Sequence, residues 1–495
     1  MKKLILKYKS LSLPVKVTLW YTFCNVLQRG ISIITGPIFT RVLSTEQYGT
    51  YSLYLSWLNI ISIFTCLNLY YGVFNKAMVK FEHDKDRYIA SMQGLTITLT
   101  VIYFCIYLLF RKKFNEFFGL STVVMLMMFI EMLVTPTLQF WSGRQRFEYK
   151  YRKLVIISVT KTISNPILGV IGVLISTNKT EARILATVIV EVFVCGILMI
   201  YQFVKGKTFF DKKYWKYAVL FNLPLIPHYL SGSLLNQGDR IVIQKLESTT
   251  SVAMYSVGNS VGMLTQLVTN AISQAVTPWL YTCLKTRKYE NINRRLDFLM
   301  ILVGSGCLLL MLMAPEVVWL FASQKYRDSV YVIPPLAASV FFVYVYNIYS
   351  NFEFYFEKRI FITVASVISA IANIILNLIF VPIFGYVAAG YTTLFCYLVY
   401  AFAHFFVSYC ICEKELNGRQ IFQCKCLIVM SVIMVVSCGI VSMLYRNVLI
   451  RYMFILMLLV VVLIMRKKIG VLVKDEVINR SFLYNSNIGN SKKEG

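Results

Sequence analysis

Fourteen apolar stretches, most of them 20 or more residues long, follow one another along the chain with only short polar gaps between them. A bilayer core about 30 Å thick needs about 20 apolar residues per helix, so each stretch has the reach of a membrane-spanning helix. The stretches run over 17–40, 49–74, 88–110, 117–141, 154–176, 183–204, 216–239, 251–281, 296–321, 329–352, 360–382, 387–411, 427–445 and 449–465. The longest gaps, 205–215, 282–295 and 412–426, are loop-sized, and none can house a soluble domain. With 58% hydrophobic and 15% charged residues, a chain of 495 residues lacks the polar surface to cover itself in water. The expected fold is an all-α polytopic membrane protein of about 14 transmembrane helices.

A net charge of +27 would suggest nucleic-acid binding in a soluble protein. Here its placement gives it another meaning. Taking loops alternately, 36 Lys and Arg fall on the side of both termini and 12 on the other, with Arg29 and Lys161 left inside spans. Basic residues near span ends are retained on the cytoplasmic side, so both termini are expected there and no nucleic-acid partner is expected. The basic start (Lys2, Lys3, Lys7, Lys9, Lys16) runs into a stretch of full spanning length without a small-residue cleavage site, so the first span is expected to stay. Most of the 12 cysteines are scattered singly through apolar stretches. The pairs Cys410/Cys412 and Cys424/Cys426 lack zinc-site spacing, so no metal is expected.

The chain also repeats itself. Phe147-Glu148-Tyr149-Lys150-Tyr151-Arg152-Lys153 recurs as Phe352-Glu353-Phe354-Tyr355-Phe356-Glu357-Lys358, an offset of 205 residues. Tyr51-Ser52 and Tyr255-Ser256, and Asn165 and Asn373, agree at nearly the same offset. The unit is six spans, and because six is even the two copies enter the membrane in the same direction. Parallel repeats of this kind belong to transporters, with a site between the halves and alternating access by rocking. The expected divisions are a basic cytoplasmic tail (1–16), an N-terminal six-helix lobe (17–204), a cytoplasmic linker (205–215) and a C-terminal six-helix lobe (216–411). A cytoplasmic loop (412–426), helices 13 and 14 (427–465) and a cytoplasmic tail (466–495) follow.

Enzyme motifs are missing. Gly206-Lys207-Thr208 has Tyr201 where a phosphate-cradling loop needs its first glycine, and there is no nucleophile elbow or dinucleotide fingerprint. The informative residues are the ionisable groups inside spans, which are costly there and usually face a cavity or a partner. Arg29, Glu131, Lys161 and Glu191 all lie in the first half, which suggests that the first lobe carries the charged chemistry. Arg29 and Lys161 are candidates for an anion-receiving cavity, or pair with the two glutamates as struts within the lobe. Glu131 and Glu191 are candidates for ion or proton coupling. Asp239 and Arg240 end the seventh span, and as helix neighbours they point about 100° apart and are expected to bond to other helices or to the vestibule. Arg240 joins the substrate candidates and Asp239 the coupling candidates. His228 and His404 are packed polar residues or pH sensors.

Three local strings carry a family resemblance: Arg41-Val-Leu-Ser-Thr-Glu46-Gln-Tyr48-Gly49-Thr-Tyr51-Ser52, Leu223-Pro224-Leu-Ile-Pro227 through Asn236-Gln-Gly-Asp239-Arg240, and Tyr255-Ser256-Val-Gly258-Asn-Ser. With the six-plus-six-plus-two plan, the chain resembles the Wzx-type polysaccharide-unit flippases of the multidrug, oligosaccharidyl-lipid and polysaccharide exporter superfamily. The resemblance implies a two-lobed, MATE-like V of helices in the bacterial plasma membrane. It implies a flippase that moves an undecaprenyl-pyrophosphate-linked oligosaccharide, as for O-antigen, capsule or exopolysaccharide, to the outer leaflet. Cavity cations would meet the pyrophosphate, an H+ or Na+ gradient would drive the cycle, and a polymerase or ligase would take the product. A lipid II flippase, a drug or organic-cation antiporter of the same superfamily, and a polytopic polysaccharide polymerase remain as alternatives.

Overall fold

The computed structural model describes residues 13–290, 292–460 and 463, and all of its regular elements are helices. Each expected span coincides with a helix or a kinked pair. The first half contains α1 (Leu13–Val42), α2 (Thr45–Cys66), the short α3 (Val73–Lys80), α4 (Lys85–Leu109), the short α5 (Arg111–Phe118), α6 (Thr122–Phe147), α7 (Tyr151–Ile175) and α8 (Lys179–Gly206). The second contains α9 (Lys212–Asn222), α10 (Ile226–Leu246), α11 (Thr249–Gly262), α12 (Leu264–Lys285), α13 (Ile292–Leu312), α14 (Ala314–Phe321), α15 (Ile333–Tyr355), α16 (Arg359–Phe384) and α17 (Val387–Glu415). Then follow α18 (Cys424–Leu444) and α19 (Val448–Val460). Ten of these helices, some taken with an adjoining helical turn or partner, are long and apolar enough by themselves to cross a membrane. The other four expected spans coincide with α1, α2, the α11–α12 pair and α19. Most of residues 461–495, which take in the end of the fourteenth span and the C-terminal tail, and residues 1–12 of the N-terminal tail, lie outside the described residues.

Local chemistry sets several helix ends. Ser44 opens α2 with a capping box: its hydroxyl accepts from the Gln47 N–H at 3.1 Å, and the Gln47 side chain accepts from the Ser44 N–H at 2.9 Å. Leu67 and Asn68 turn left-handed, with φ of 46° and 48°, so α2 ends at Cys66, earlier than the expected 74. The seventh span breaks at Leu223–Leu225, where Pro224 cannot donate a helical hydrogen bond. α9 therefore packs with Phe81 and Tyr88 of the first half, through Tyr214 and Ala218, while α10 packs on α16 and α2.

The two halves repeat a packing plan. α7 lies against α1 and α8, and α6 against α8; α16 lies against α10 and α17, and α15 against α17. One hydrogen bond repeats with them. Thr187 Oγ1 and Asn165 Oδ1 are 3.5 Å apart between α8 and α7, and Asn373 Nδ2 donates to Thr393 Oγ1 at 3.1 Å between α16 and α17.

The lobes meet along α2, α10 and α11. Gly49 is needed there, because a Cβ would sit 2.0 Å from the Thr249 carbonyl oxygen at the start of α11. At the end expected to face outward, Thr40 Oγ1 donates to the Phe321 carbonyl (3.3 Å), Ser323 Oγ to the Thr40 carbonyl (3.2 Å), and Arg41 Nη2 to the Leu320 carbonyl (3.2 Å). Lys325 adds a bond to the Leu43 carbonyl. These bonds clasp the halves at this end, while at the opposite end α9 also bonds to the first half, Trp215 Nε1 donating to the Ser91 carbonyl at 2.9 Å and Asn222 Nδ2 to the Leu67 carbonyl at 2.8 Å.

Candidate functional site

α10 is the polar wall of a cavity of about 610 Å³ between the lobes. Side-chain amides ring it: Asn59 from α2, Asn236 and Gln237 from α10, Asn259 from α11 and Gln266 from α12. Tyr229, Tyr346, Tyr397 and Tyr400 add aromatic faces and hydroxyls. Arg240 lines this cavity while held from three sides, by Ser256 Oγ (3.0 Å from Nε), the Asn236 carbonyl (3.0 Å from Nη1) and Gln237 Oε1 (2.8 Å from Nη1). Gln237 Oε1 also accepts from Ser56 Oγ of α2 at 3.1 Å, so the guanidinium is tied to the lobe interface.

Asp239 borders the same cavity and makes no ion pair with Arg240 among the described residues. Its carboxylate accepts from Tyr255 of α11, from Asn377 Nδ2 of α16 at 2.6 Å and from Thr393 Oγ1 of α17 at 2.9 Å. At 2% exposed it is a brace joining four helices. His228 Nδ1 lies 3.3 Å from Ser366 Oγ on the same cavity wall.

The first lobe has its own cavity, of about 560 Å³, between α1, α6, α7 and α8. Lys161 of α7 lines it, with Nζ 2.6 Å from Glu191 Oε1 of α8. Cys195 Sγ lies 3.3 Å from the other Glu191 oxygen. Glu131 is not in this pair; its carboxylate accepts from the Tyr54 hydroxyl at 2.5 Å. Lys161 and Glu191 thus have the strut geometry, although the lysine side chain keeps 23% exposure. The Arg29 side chain lies outside the described residues.

Two residues escaped sequence reasoning as site members. Arg183 counted as a loop cation, yet it sits in α8, 7% exposed, stacked over the Phe39 and Tyr51 rings at 4.4 and 5.0 Å, with Nη1 donating to Thr187 Oγ1 at 2.7 Å. The available signal was Arg183, Thr187, Glu191 and Cys195 at four-residue intervals, one face of a helix. Glu353 was read as leaving the tenth span. It lies inside α15, with no exposed surface, and its two oxygens are 2.8 and 2.9 Å from His404 Nδ1 of α17. These placements correct the expectation that charge gathers in the first lobe: buried Asp239, Arg240, Glu353 and His404 all belong to the second.

The family described as "Polysaccharide biosynthesis protein" matches over residues 15–283, more than half of the sequence. The chain belongs to the polysaccharide biosynthesis protein family. Two Haemophilus influenzae proteins are similar to this family member. One, from the Lsg locus, is 30% identical over 158 residues, 31% of this chain and only 39% of that protein. The other, an uncharacterized membrane protein, is 23% identical over 364 residues, 70% of this chain and 86% of that one. Among solved structures, the lipid II flippase MurJ in an inward closed conformation superposes with a TM-score of 0.63 at 14% identity, covering 91% of this chain and 100% of that one. An inward-facing multidrug resistance MATE family transporter of the MOP superfamily gives 0.61 at 15% identity, covering 79% and 96%. At such identities the likeness is one of fold. The fold is the one these solved membrane transporters share.

Proposed function

We propose that this protein flips an undecaprenyl-pyrophosphate-linked oligosaccharide from the cytoplasmic to the outer leaflet of a bacterial plasma membrane. The observation that carries the reading is the interlobe cavity, in which amides and tyrosines surround one arginine. Asn and Gln each donate and accept, and tyrosine offers an aromatic face beside a hydroxyl, a lining suited to sugar hydroxyls and rings. Arg240 is the cation in that lining and is assigned to the pyrophosphate, which a guanidinium grips bidentately. Membership of a polysaccharide biosynthesis family supports the same substrate class. With the termini cytoplasmic, as the loop charges require, the clasp at Thr40, Arg41 and Lys325 is the outer gate and the cavity loads from inside. Opening that clasp while the inner ends approach completes alternating access. Glu131, Glu191 and Asp239 remain the groups through which an H+ or Na+ gradient would act, and a polymerase or ligase would receive the product.

Complementation tests this. The gene is placed in a bacterium lacking its surface-polysaccharide flippase but supplied with the matching sugar pathway, and surface polymer and trapped lipid-linked unit are measured. Wild type should restore polymer, and a stably inserted Arg240→Ala variant should leave the lipid-linked unit inside. Wild type that reaches the membrane yet leaves the intermediate trapped would overturn the reading, and lipid II transport and drug efflux would be assayed next.

A further inference from the structure

A second cavity, of about 650 Å³, opens on the membrane-facing flank of the first lobe, where α6 turns into α7 beside the end of α8. Its upper wall is basic: Lys150, Arg152, Lys153 and Lys205 line it and are exposed. Arg152 and Lys153 make no hydrogen bond or ion pair among the described residues, whereas Lys150 and Arg144 hold Glu148 at 2.6 and 2.7 Å and Arg144 holds Asp86. Five cations against Asp86 and Glu148 leave the lining positive. Its other wall is apolar and open, with Ile197 56% and Tyr201 50% exposed. Behind them Gln202 is 6% exposed, and its Oε1 has no hydrogen-bond partner.

The duplication supplies a control. Glu148 and Lys153 are retained in the second copy as Glu353 and Lys358, but Lys150 becomes Tyr355 and Arg152 becomes Glu357. Both loops fall on the side expected to be cytoplasmic, so retention on that side alone does not call for the extra charge on one copy. An electropositive pocket above an exposed apolar cleft is the form of a lipid headgroup site, and basic pockets between helices on the cytoplasmic side bind anionic headgroups.

We propose that this flank pocket is an entry station that receives the pyrophosphate head of the isoprenoid-linked substrate from the cytoplasmic leaflet, with the chain along the α7–α8 cleft, before the head passes to the interlobe cavity. It rests on the flippase reading for its occupant and on the cytoplasmic assignment of the loop ends for its leaflet. Lys150, Arg152 and Lys153 supply charge-assisted bonds to the phosphates, and Lys205 closes the pocket from α8.

The test converts one copy into the other. Full-length protein in nanodiscs, with Lys150→Tyr/Arg152→Glu, is compared with wild type and with a control, Lys285→Ala/Lys288→Ala, at cations outside the pocket. Retention of undecaprenyl pyrophosphate and of phosphatidylglycerol is read by native mass spectrometry, and folding by size exclusion. The expected result is at least a tenfold loss of undecaprenyl pyrophosphate binding in the pocket variant alone, with little change for phosphatidylglycerol. Equal loss of both lipids would overturn the entry station in favour of a general anionic-lipid site, and no loss of either would remove the site. If the swap fails to fold, Lys153→Ala and Lys205→Ala, both at exposed positions, replace it under the same criteria. A flipping assay separates this from the flippase reading: loss of the station alone raises the apparent KM with kcat retained, whereas a wild type that binds but never flips would sink the flippase reading and leave the station standing.

Discussion

The two lobes share a packing plan but use their polar groups in opposite ways. In the second lobe, α15 is 89% buried over its spanning window, Glu353 and His404 have no exposed surface, and Asp239 is enclosed by donors from three other helices. In the first, α7 is 11% buried over its window, and Lys161 reaches Glu191 beside an open cavity. A helix apolar all round demands enclosure, and α15, with Ala337, Ala338 and Ser339 admitting close neighbours, gets it. Position for position the contrast is narrower, since α6, the counterpart of α15, is 61% buried and α16, the counterpart of α7, only 28%, so the difference between the lobes sits mainly in α15. The second lobe encloses its Glu353–His404 pair completely, whereas in the first Glu131, Arg183 and Glu191 are buried and Lys161 keeps an exposed face on the cavity.

The largest test of that contrast is Asp239→Ala, which strips the acceptor from Tyr255, Asn377 and Thr393 together. It should cost about 2–4 kcal/mol, seen as a lowered Tm of the purified protein. An unchanged Tm would dismiss the brace. Next is Gly49→Ala at the seam between the lobes, where the added methyl meets the Thr249 carbonyl. Overpacking should cost about 1–3 kcal/mol and loosen the clasp, so that a cysteine placed at Thr40, 2% exposed, becomes labelled from the outside. Labelling no faster than in the parent would show that the close approach does not hold that end.

Smaller still is the first-lobe pair. Lys161→Met alone leaves a buried carboxylate and should cost about 1–2 kcal/mol after allowance for the lysine's exposure, and adding Glu191→Leu should recover most of it. A double variant worse than the single would argue that the pair does more than neutralise itself. The smallest effect is at Glu148, outside the spans. Burial pushes its carboxyl up, but the hydrogen bonds and charges of Lys150 and Arg144 outweigh it and hold the group below its ordinary value. A depressed carboxylate stabilises above its unfolded pKa of about 4.3 and loses that contribution as pH falls through the folded value. Glu148→Gln should therefore lower stability at neutral pH by about 0.5 kcal/mol, read as a small drop in Tm, and not at all in strong acid. The same deficit at every pH would rule out charge as its origin.

The spans were legible because each depends on one local quantity, apolar length, and the duplication because Asn165 and Asn373 hold the same position on α7 and α16. The partners were not legible. Arg183 and Glu353 lie at span margins, where a shift of a few residues in the boundary moves a charge from water into the core. Glu353 is recognisable only with His404, 51 residues away, and Asp239 only with Asn377 and Thr393, more than 130 away. Adjacency was read correctly: Asp239 and Arg240 bond to other helices and not to each other, Asp239 to Tyr255, Asn377 and Thr393 and Arg240 to Ser256, on the wall of one cavity.

The most direct measurement of the central claim is leaflet-resolved transport by the purified protein. Proteoliposomes are loaded with the lipid-linked oligosaccharide of the complementing pathway in one leaflet, and a sugar-cleaving enzyme added outside reports what has crossed. The account predicts crossing that requires the protein, is lost in Arg240→Ala and is spared in Lys285→Ala. Substrate that stays in its original leaflet, with protein correctly inserted and an ion gradient of either kind imposed, would contradict it.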